Sequence, residues 1–257
     1  MQLSQGFIID SYHFYNIAKE SYYKAQQGFD IHRQNDALVA IIFAALSLEA
    51  FINELGDLAR DMKARGHEED FLDRLIDAIF ESQGSKKNTQ DKFMDASAAL
   101  SNTFDKGKYP YQDFVELLRL RNCLAHLKPQ DRLEIDEDSN WFYSGRNLIN
   151  KLRSKGILQN HTKIESITLL VSTAKAAKWA CNTASAMVNA ILDSIPDSGF
   201  SNDNQEIALY KSMFQPLEAE EQHHRQIAVA QADELHTRLL KTYGEFPDSV
   251  ELRYEDS

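Results

Sequence analysis

The 257-residue sequence predicts an all-α protein, and two observations carry this prediction. Apolar residues recur at intervals of three and four in most stretches of the chain, as in helices that bury one face. Glycine and proline are few, and the prolines fall between the apolar stretches, where they begin or end helices: Pro110, Pro129, Pro196, Pro216 and Pro247. A chain of this length can bury a sizeable core without a stabilising metal or disulfide.

Two helices are predicted in the first quarter of the chain. The first covers about residues 7–27 and ends at Gly28, with four apolar positions: Ile9, Tyr12, Ile17 and Tyr22. The second covers about residues 36–62 and carries a continuous apolar stripe: Leu38, Ile41, Ile42, Ala45, Leu48, Ile52, Leu55 and Leu58. Its most apolar stretch, residues 37–48, is shorter than the roughly 20 residues that cross a bilayer, so it predicts a core helix and no membrane contact.

Four shorter elements follow, separated by polar or proline-containing breaks. Apolar spacing predicts helices over Phe71–Phe80 and Phe93–Leu100, and a fifth helix from about Gln112 that ends before Pro129. Residues 129–146 are charged and aperiodic, which indicates a loop or a hairpin in which Trp141-Phe142-Tyr143 is extended. A sixth helix is predicted over about residues 146–155, ending at Gly156.

The last third of the chain contains the predicted domain boundary. Thr162 and Glu165 have capping-box spacing and predict the start of the longest helix, which runs to Ile195. The composition changes after this helix, so we predict one domain over residues 1–196 and an acidic helical extension and tail over residues 197–257. Within the extension, helices are expected at about residues 203–214 and 216–241.

Charge and cysteine content limit the classes of function. The net charge is −11, which argues against a broad basic surface for nucleic acid, but residues 197–257 hold 13 acidic and 5 basic residues, so most of the acidity lies there. Cys123 and Cys181 lack metal-ligand spacing, and the N-terminus lacks a secretory signal, so a cytoplasmic protein is expected. No Gly-rich phosphate loop, nucleophile elbow, zinc pattern or dinucleotide fingerprint is found, and neither a cofactor nor a metal is expected.

One constellation of residues can carry chemistry. Arg121-Asn122-Cys123-Leu124-Ala125-His126 reads Arg-Asn-x-x-x-His and lies at the end of the fifth predicted helix. Glu49 lies on or beside the apolar stripe of the second helix, where an unpaired carboxylate is costly. Arg121 is the predicted partner of Glu49, because an arginine fork can satisfy a carboxylate with two hydrogen bonds.

These features resemble the HEPN superfamily, whose α-helical bundles carry an acidic residue on an early helix and an Arg-x4-6-His motif on a later one. The resemblance covers about residues 7–195. It implies a metal-independent endoribonuclease of the toxin or antiviral-defence kind, acting as a homodimer in which two motif helices form one composite site. It implies that Arg121 holds the scissile phosphate and that His126 is the general acid or base. It also implies that Asn122 orients the phosphate or His126, and that Glu49 positions Arg121.

Helical geometry gives an independent reason to expect a dimer. Five residues on a helix correspond to about 140°, so Arg121 and His126 point apart, whereas Asn122 and His126 are separated by about 40°. One copy of the helix is therefore a poor site. A second copy across a twofold axis can supply the missing convergence.

Several alternatives stay open. Arg121 can be a structural partner of Glu49, and His126 can be a helix-end histidine stabilised by the helix dipole, in a catalytically inactive HEPN-like module for dimerisation or for a regulatory protein partner. His223-His224 is more typical of a solvated helix face than of a metal site. The basic residues near the motif can guide RNA phosphates, but ordinary solubilising loops are the favoured explanation: Lys86, Lys87, Lys92, Lys106 and Lys108. Nucleotidyl transfer is set aside, because no carboxylate pair accompanies a phosphate loop.

Overall fold

The computed structural model describes residues 9–27, 34–80, 87–126, 133–135, 141–143, 146–159, 167–196 and 205–218. This part of the chain contains nine α-helices and one short β-hairpin, so the predicted all-α class is confirmed. The helices are α1 (Asp10–Gln26), α2 (Gln34–Ala64), α3 (Asp70–Phe80), α4 (Thr89–Ala99), α5 (Tyr111–Ala125), α6 (Arg146–Ser154), α7 (Ile167–Val171), α8 (Ala174–Leu192) and α9 (Gln205–Met213). Strand β1 (Leu133–Ile135) pairs antiparallel with β2 (Trp141–Tyr143).

Helix α2 lies at the centre of the bundle and packs against α1, α3, α4, α5, α7 and α8. Its predicted stripe is buried along most of its length, including Ile41, Leu48 and Leu55. Between residues 35 and 64 this helix is long and apolar enough to cross a membrane by length and composition, so the apolar stretch is longer than the sequence count of residues 37–48 suggested. Half of its most apolar window is buried inside the protein, as in a core helix.

Three rings hold the helices around the motif against α2. Phe51 of α2, Phe93 of α4 and Phe114 of α5 are fully buried. The ring centroids of Phe51 and Phe93 are 6.2 Å apart, and those of Phe93 and Phe114 are 4.8 Å apart. Because aromatic pairs at these separations add to the burial of apolar area, they fix the positions of α4 and α5 relative to α2.

The buried face of α1 contains Tyr22, as predicted, together with residues that the prediction did not name. Tyr15 and Ala18 are buried, whereas Tyr12 and Ile17 are half-buried. Ser11 is also buried, because its backbone N–H donates to Glu54 Oε1 at 2.8 Å and its hydroxyl donates to Glu54 Oε2 at 2.5 Å. A carboxylate on α2 thus holds Ser11 on the buried face of α1, a contact that the apolar spacing does not predict.

The predicted continuous helix from residue 162 to Ile195 is wrong, since α7 and α8 are separate helices and the longest helix is α2. Thr173 between them is extended (φ −128°, ψ 145°), and its hydroxyl oxygen accepts from Ala176 N at 2.9 Å as the N-cap of α8. The same hydroxyl donates to Ile157 O at 2.7 Å, and Ser172 Oγ donates to Thr168 O at 2.5 Å. These side-chain hydrogen bonds compete with the helical backbone pattern and end α7.

Helix α9 belongs to the same compact unit as the bundle. The unit extends from Met1 to Leu217, beyond the predicted boundary after residue 196, and a second unit covers Glu218–Ser257. Tyr210 and Phe214 are fully buried, and the Phe214 ring stacks on Tyr15 with 4.7 Å between centroids. Tyr210 OH donates to Glu54 Oε2 at 2.7 Å, so α9 is tied to α2 by both apolar and polar contacts.

Several predicted features lie outside the described residues, and the structure says nothing about them: Gly28, Lys86, residues 160–166 with the predicted capping box, most of the predicted helix over 216–241, His223-His224 and the C-terminal tail. Within the described residues, α6 ends as predicted before Gly156, whose φ of +67° is the left-handed conformation that glycine adopts readily.

Candidate functional site

The motif occupies the last turn of α5. The buried face of this helix includes Leu117 and Leu118, and Arg121 follows them at four and three residues, at the edge of the same face. Helix α5 ends at Ala125, and His126 is its C-cap, with φ −133° and ψ 65°. Arg121 is therefore partly buried against the bundle, while His126 lies where the helix terminates.

Arg121 and Glu49 form an ion pair, which confirms the pairing predicted from the sequence. The side chains are 17% and 31% exposed, so water reaches this pair only in part. Arg121 Nη1 also donates to Asn122 Oδ1 at 2.9 Å, whereas Arg121 Nε is buried without a hydrogen-bond partner. Burial lowers the pKa of the Arg121 guanidinium. The ordinary pKa of arginine is so high that the group nevertheless stays charged near neutrality.

A second cation is attached to the same side of α2. Asn53, one turn after Glu49, donates through Nδ2 to the backbone oxygen of Glu49 at 2.9 Å. Lys92 of α4 donates through Nζ to Asn53 Oδ1 at 2.6 Å. Burial, and then the neighbouring charge of Lys87, lower the pKa of Lys92. Both effects disfavour the positive charge at this position, and a bound anion would offset them.

These residues line an open pocket of about 520 Å³ between α2, α4 and α5. Its apolar floor consists of Ile52, Val115 and Leu118. Four of its lining residues are cationic and one is acidic: Lys87, Lys92, Arg119, Arg121 and Glu49. The remaining lining residues are Asn53, Asn122 and the first residues of α4 with its N-cap, Asn88, Thr89 and Gln90. The pocket is thus positively charged, and the N-terminal end of the α4 dipole adds to its attraction for anions.

His126 is not among the residues that line this pocket. Its side chain is exposed, and its backbone N–H donates to Asn122 O at 2.9 Å. One copy of the chain therefore brings Glu49, Arg121 and Asn122 together and leaves His126 at the outer end of α5. This arrangement agrees with the divergence that the helical spacing predicts for Arg121 and His126.

No protein-family model, curated protein or solved structure matches the chain. In the described part of the chain, no group of three or more His, Cys, Asp or Glu side chains is arranged to hold a metal ion.

Two pocket residues were underestimated from the sequence. Lys87 and Lys92 lie near the motif in sequence, where solubilising loops were the favoured explanation, and the structure places both in the pocket. Arg119 was not singled out, although it lies three residues before Asn122 and so on the same side of α5. Lys106 and Lys108, from the same basic concentration, do not line this pocket.

A buried polar cluster between α5, α6 and α8 was missed altogether. Lys155 Nζ lies 2.8 Å from Asp113 Oδ1 and 3.5 Å from Glu116 Oε2, and Trp179 Nε1 donates to Asp113 Oδ2 at 2.6 Å. Burial would lower the pKa of Lys155, but Asp113 and Glu116 outweigh it and raise that pKa. Asp113 and Glu116 lie on the apolar face of α5, and this position was the signal that the sequence offered. As for Glu49, a carboxylate on an apolar face needs a partner.

Proposed function

We propose that this protein is a metal-independent, HEPN-like endoribonuclease that acts as a homodimer with a composite active site, in a cytoplasmic toxin or antiviral-defence role. The observation that carries the proposal is the Arg121–Glu49 ion pair at the edge of a cationic pocket. A carboxylate that holds an arginine in the lining of a cationic cleft is a suitable arrangement for binding a phosphodiester.

In the proposed reaction, Arg121 neutralises the non-bridging oxygens of the scissile phosphate. The ribose 2′-oxygen attacks the phosphorus, the bond from phosphorus to the 5′-oxygen breaks, and the products carry a 2′,3′-cyclic phosphate and a 5′-hydroxyl. His126 takes the proton of the 2′-hydroxyl or gives one to the leaving 5′-oxygen, because an imidazole can act as either general base or general acid. Asn122 orients the phosphate, and Glu49 acts through Arg121 as a positioning residue.

The dimer is needed because His126 and the Arg121 pocket diverge within one chain. In the proposed assembly, the α5 helices of two copies face one another across a twofold axis. His126 of one copy then approaches the phosphate that Arg121 of the other copy binds.

The test is cleavage of total RNA and tRNA by the purified protein in EDTA, with analysis of the product ends. We expect cleavage with cyclic-phosphate ends by the wild type, and a loss of at least about a hundredfold in Arg121→Ala and His126→Ala. His13→Ala is the matched control, because His13 is exposed on α1 and does not line the pocket. Equal cleavage by all four folded proteins would mean that the motif is structural.

The second candidate is a catalytically inactive HEPN-like module that dimerises or binds a protein partner. It is favoured by the intrachain ion pair, which occupies part of the hydrogen-bonding capacity of Arg121, and by the position of His126 outside the pocket. Absence of cleavage by a wild-type dimer, with the Arg121→Ala variant losing only stability, would favour this function over the ribonuclease.

A regulatory role is proposed for the acidic C-terminal unit, residues 218–257, which hold 10 acidic and 4 basic residues. An acidic segment of this kind repels RNA or binds a basic partner. Truncation after Leu217 tests this without removing α9 from the core. A change in RNA cleavage is expected, and unchanged cleavage and unchanged partner binding would refute the regulatory role.

A further inference from the structure

The position of Lys92 suggests a ligand contact that the motif alone does not include. Lys92 is half-buried, and among the described residues it contacts no carboxylate; its ammonium donates to the amide oxygen of Asn53. By contrast, the neighbouring Lys87 contacts Asp95 at 2.7 Å. A desolvated lysine on a neutral partner keeps donors available for a stronger, anionic acceptor.

The two cations are attached to adjacent turns of one helix. Arg121 pairs with Glu49, and Lys92 bonds to Asn53, four residues further along α2. Side chains four residues apart on a helix have Cβ atoms about 5–6 Å apart, on the same face. The arginine and the lysine are therefore anchored on the same face of α2, and both line the same pocket.

We propose that Lys92, with Arg119 of the same pocket lining, forms a second phosphate subsite, so that the pocket of one chain binds two consecutive phosphates of a single RNA strand. Arg121 binds the phosphate that is attacked, and Lys92 binds its neighbour. This inference rests on the proposed ribonuclease function and gives it a substrate class: single strands with at least two internucleotide phosphates. A rigid duplex is a poor ligand, because its backbone cannot bend into a pocket of about 520 Å³.

The experiment measures binding separately from cleavage. A 2′-deoxytrinucleotide has two phosphates and no 2′-hydroxyl, so it binds without being cut. It is compared, by NMR titration of the full-length protein at low salt, with the same trinucleotide carrying one uncharged methylphosphonate, placed at each linkage in turn. We expect either replacement to weaken binding to the wild type about tenfold, as for loss of a charge-assisted hydrogen bond.

The variant Lys92→Met should bind the fully charged trinucleotide about ten times more weakly. The methylphosphonate at the linkage that Lys92 binds should then have no further effect, because the contact is already lost. Lys92→Arg should restore the wild-type pattern, and Lys106→Met, an exposed lysine outside the pocket, should leave it unchanged. If Lys92→Met does not fold, Asn53→Ala replaces it, since it removes the anchor of the ammonium.

Three results would overturn the second subsite: no effect of methylphosphonate on the wild type, an unchanged effect in Lys92→Met at both linkages, or no binding of the trinucleotide. An equal affinity for a polyglutamate peptide would also overturn it, and would favour an acidic protein partner. Failure of the subsite is distinguishable from failure of the ribonuclease, because RNA cleavage by the wild type does not depend on this binding assay. Trinucleotide binding without any RNA cleavage would keep the subsite and reject the ribonuclease.

Discussion

Replacing Glu49 with glutamine removes the negative charge that faces Arg121 and keeps the volume of the side chain. The pair is only partly exposed, 17% for Arg121 and 31% for Glu49. It therefore lies between a surface ion pair, of about 0.2–1 kcal/mol, and a buried one, whose disruption costs about 3–5 kcal/mol. We expect Glu49→Gln to lower the free energy of unfolding by about 2 kcal/mol, because the less exposed partner is left unpaired.

The reverse change, Arg121→Met, should cost less, about 1 kcal/mol, since the remaining carboxylate is the more hydrated of the two groups. The double variant should lose about 1 kcal/mol less than the sum of the single changes, which is the coupling energy of the pair. Urea unfolding followed by circular dichroism, at one fixed protein concentration, measures all four free energies.

The surface pair Asp57 and Arg60, 60% and 50% exposed, is the control, with an expected coupling below about 0.5 kcal/mol. A coupling between Glu49 and Arg121 no larger than that of the control would refute the reasoning. It would mean that Arg121 does not depend on Glu49 for its position.

Three further changes test the fold around the site. Gly56→Ala should lower stability by about 1–3 kcal/mol in thermal or urea unfolding, because the added Cβ would press on the ring of Phe80; a more stable variant would contradict this packing. Phe214→Ala should cost about 3–5 kcal/mol, since the ring is fully buried, and a loss below about 1 kcal/mol would place α9 outside the core. Lys155 has a raised pKa through its contact with Asp113, so its contribution to stability is complete below the ordinary lysine pKa and is lost as the pH rises through the higher folded value. Wild type should therefore lose stability relative to Lys155→Met above about pH 10.5, as followed by Trp fluorescence, and parallel pH profiles would contradict the assignment.

Part of the site could be predicted because its signal is local. An acidic residue on the apolar stripe of α2 needs a partner wherever the helix packs, and the motif offered Arg121. The same reasoning would have found Asp113 and Glu116, which lie on the buried face of α5. Local spacing also predicted that Arg121 and His126 diverge, because that angle depends only on the geometry of one helix.

The pocket itself could not be predicted, because it depends on how helices distant in sequence pack together. Lys92 reaches Asn53 only after the rings of Phe51 and Phe93 have placed α4 beside α2. The break between α7 and α8 has the same origin. Thr173 is held by the backbone oxygen of Ile157, 16 residues away, and nothing in the spacing of the apolar residues records that contact.

The Ser11 contact of α1 and the place of α9 show a further limit. Ser11 and Tyr210 both donate to Glu54, so one carboxylate fixes the first and the last of the described helices. Sequence reasoning treated α9 as part of an acidic extension because the composition of the chain changes after residues 197–199. The buried residues of α9, Ile207 and Tyr210, and the buried residues just after it, Phe214 and Leu217, recur at intervals of three and four. This spacing marks the segment as part of the core.

The composite site is tested most directly by mixing two inactive variants. Arg121→Ala and His126→Ala are refolded together, the formation of mixed dimers is verified, and RNA cleavage is measured in EDTA. Each variant alone should be inactive, while each mixed dimer retains one of two sites, with Arg121 from one chain and His126 from the other. Random pairing makes half of the dimers mixed, so the mixture should reach about a quarter of the wild-type rate. Mixed dimers that do not cleave RNA, or cleavage by either variant alone, would contradict a composite site.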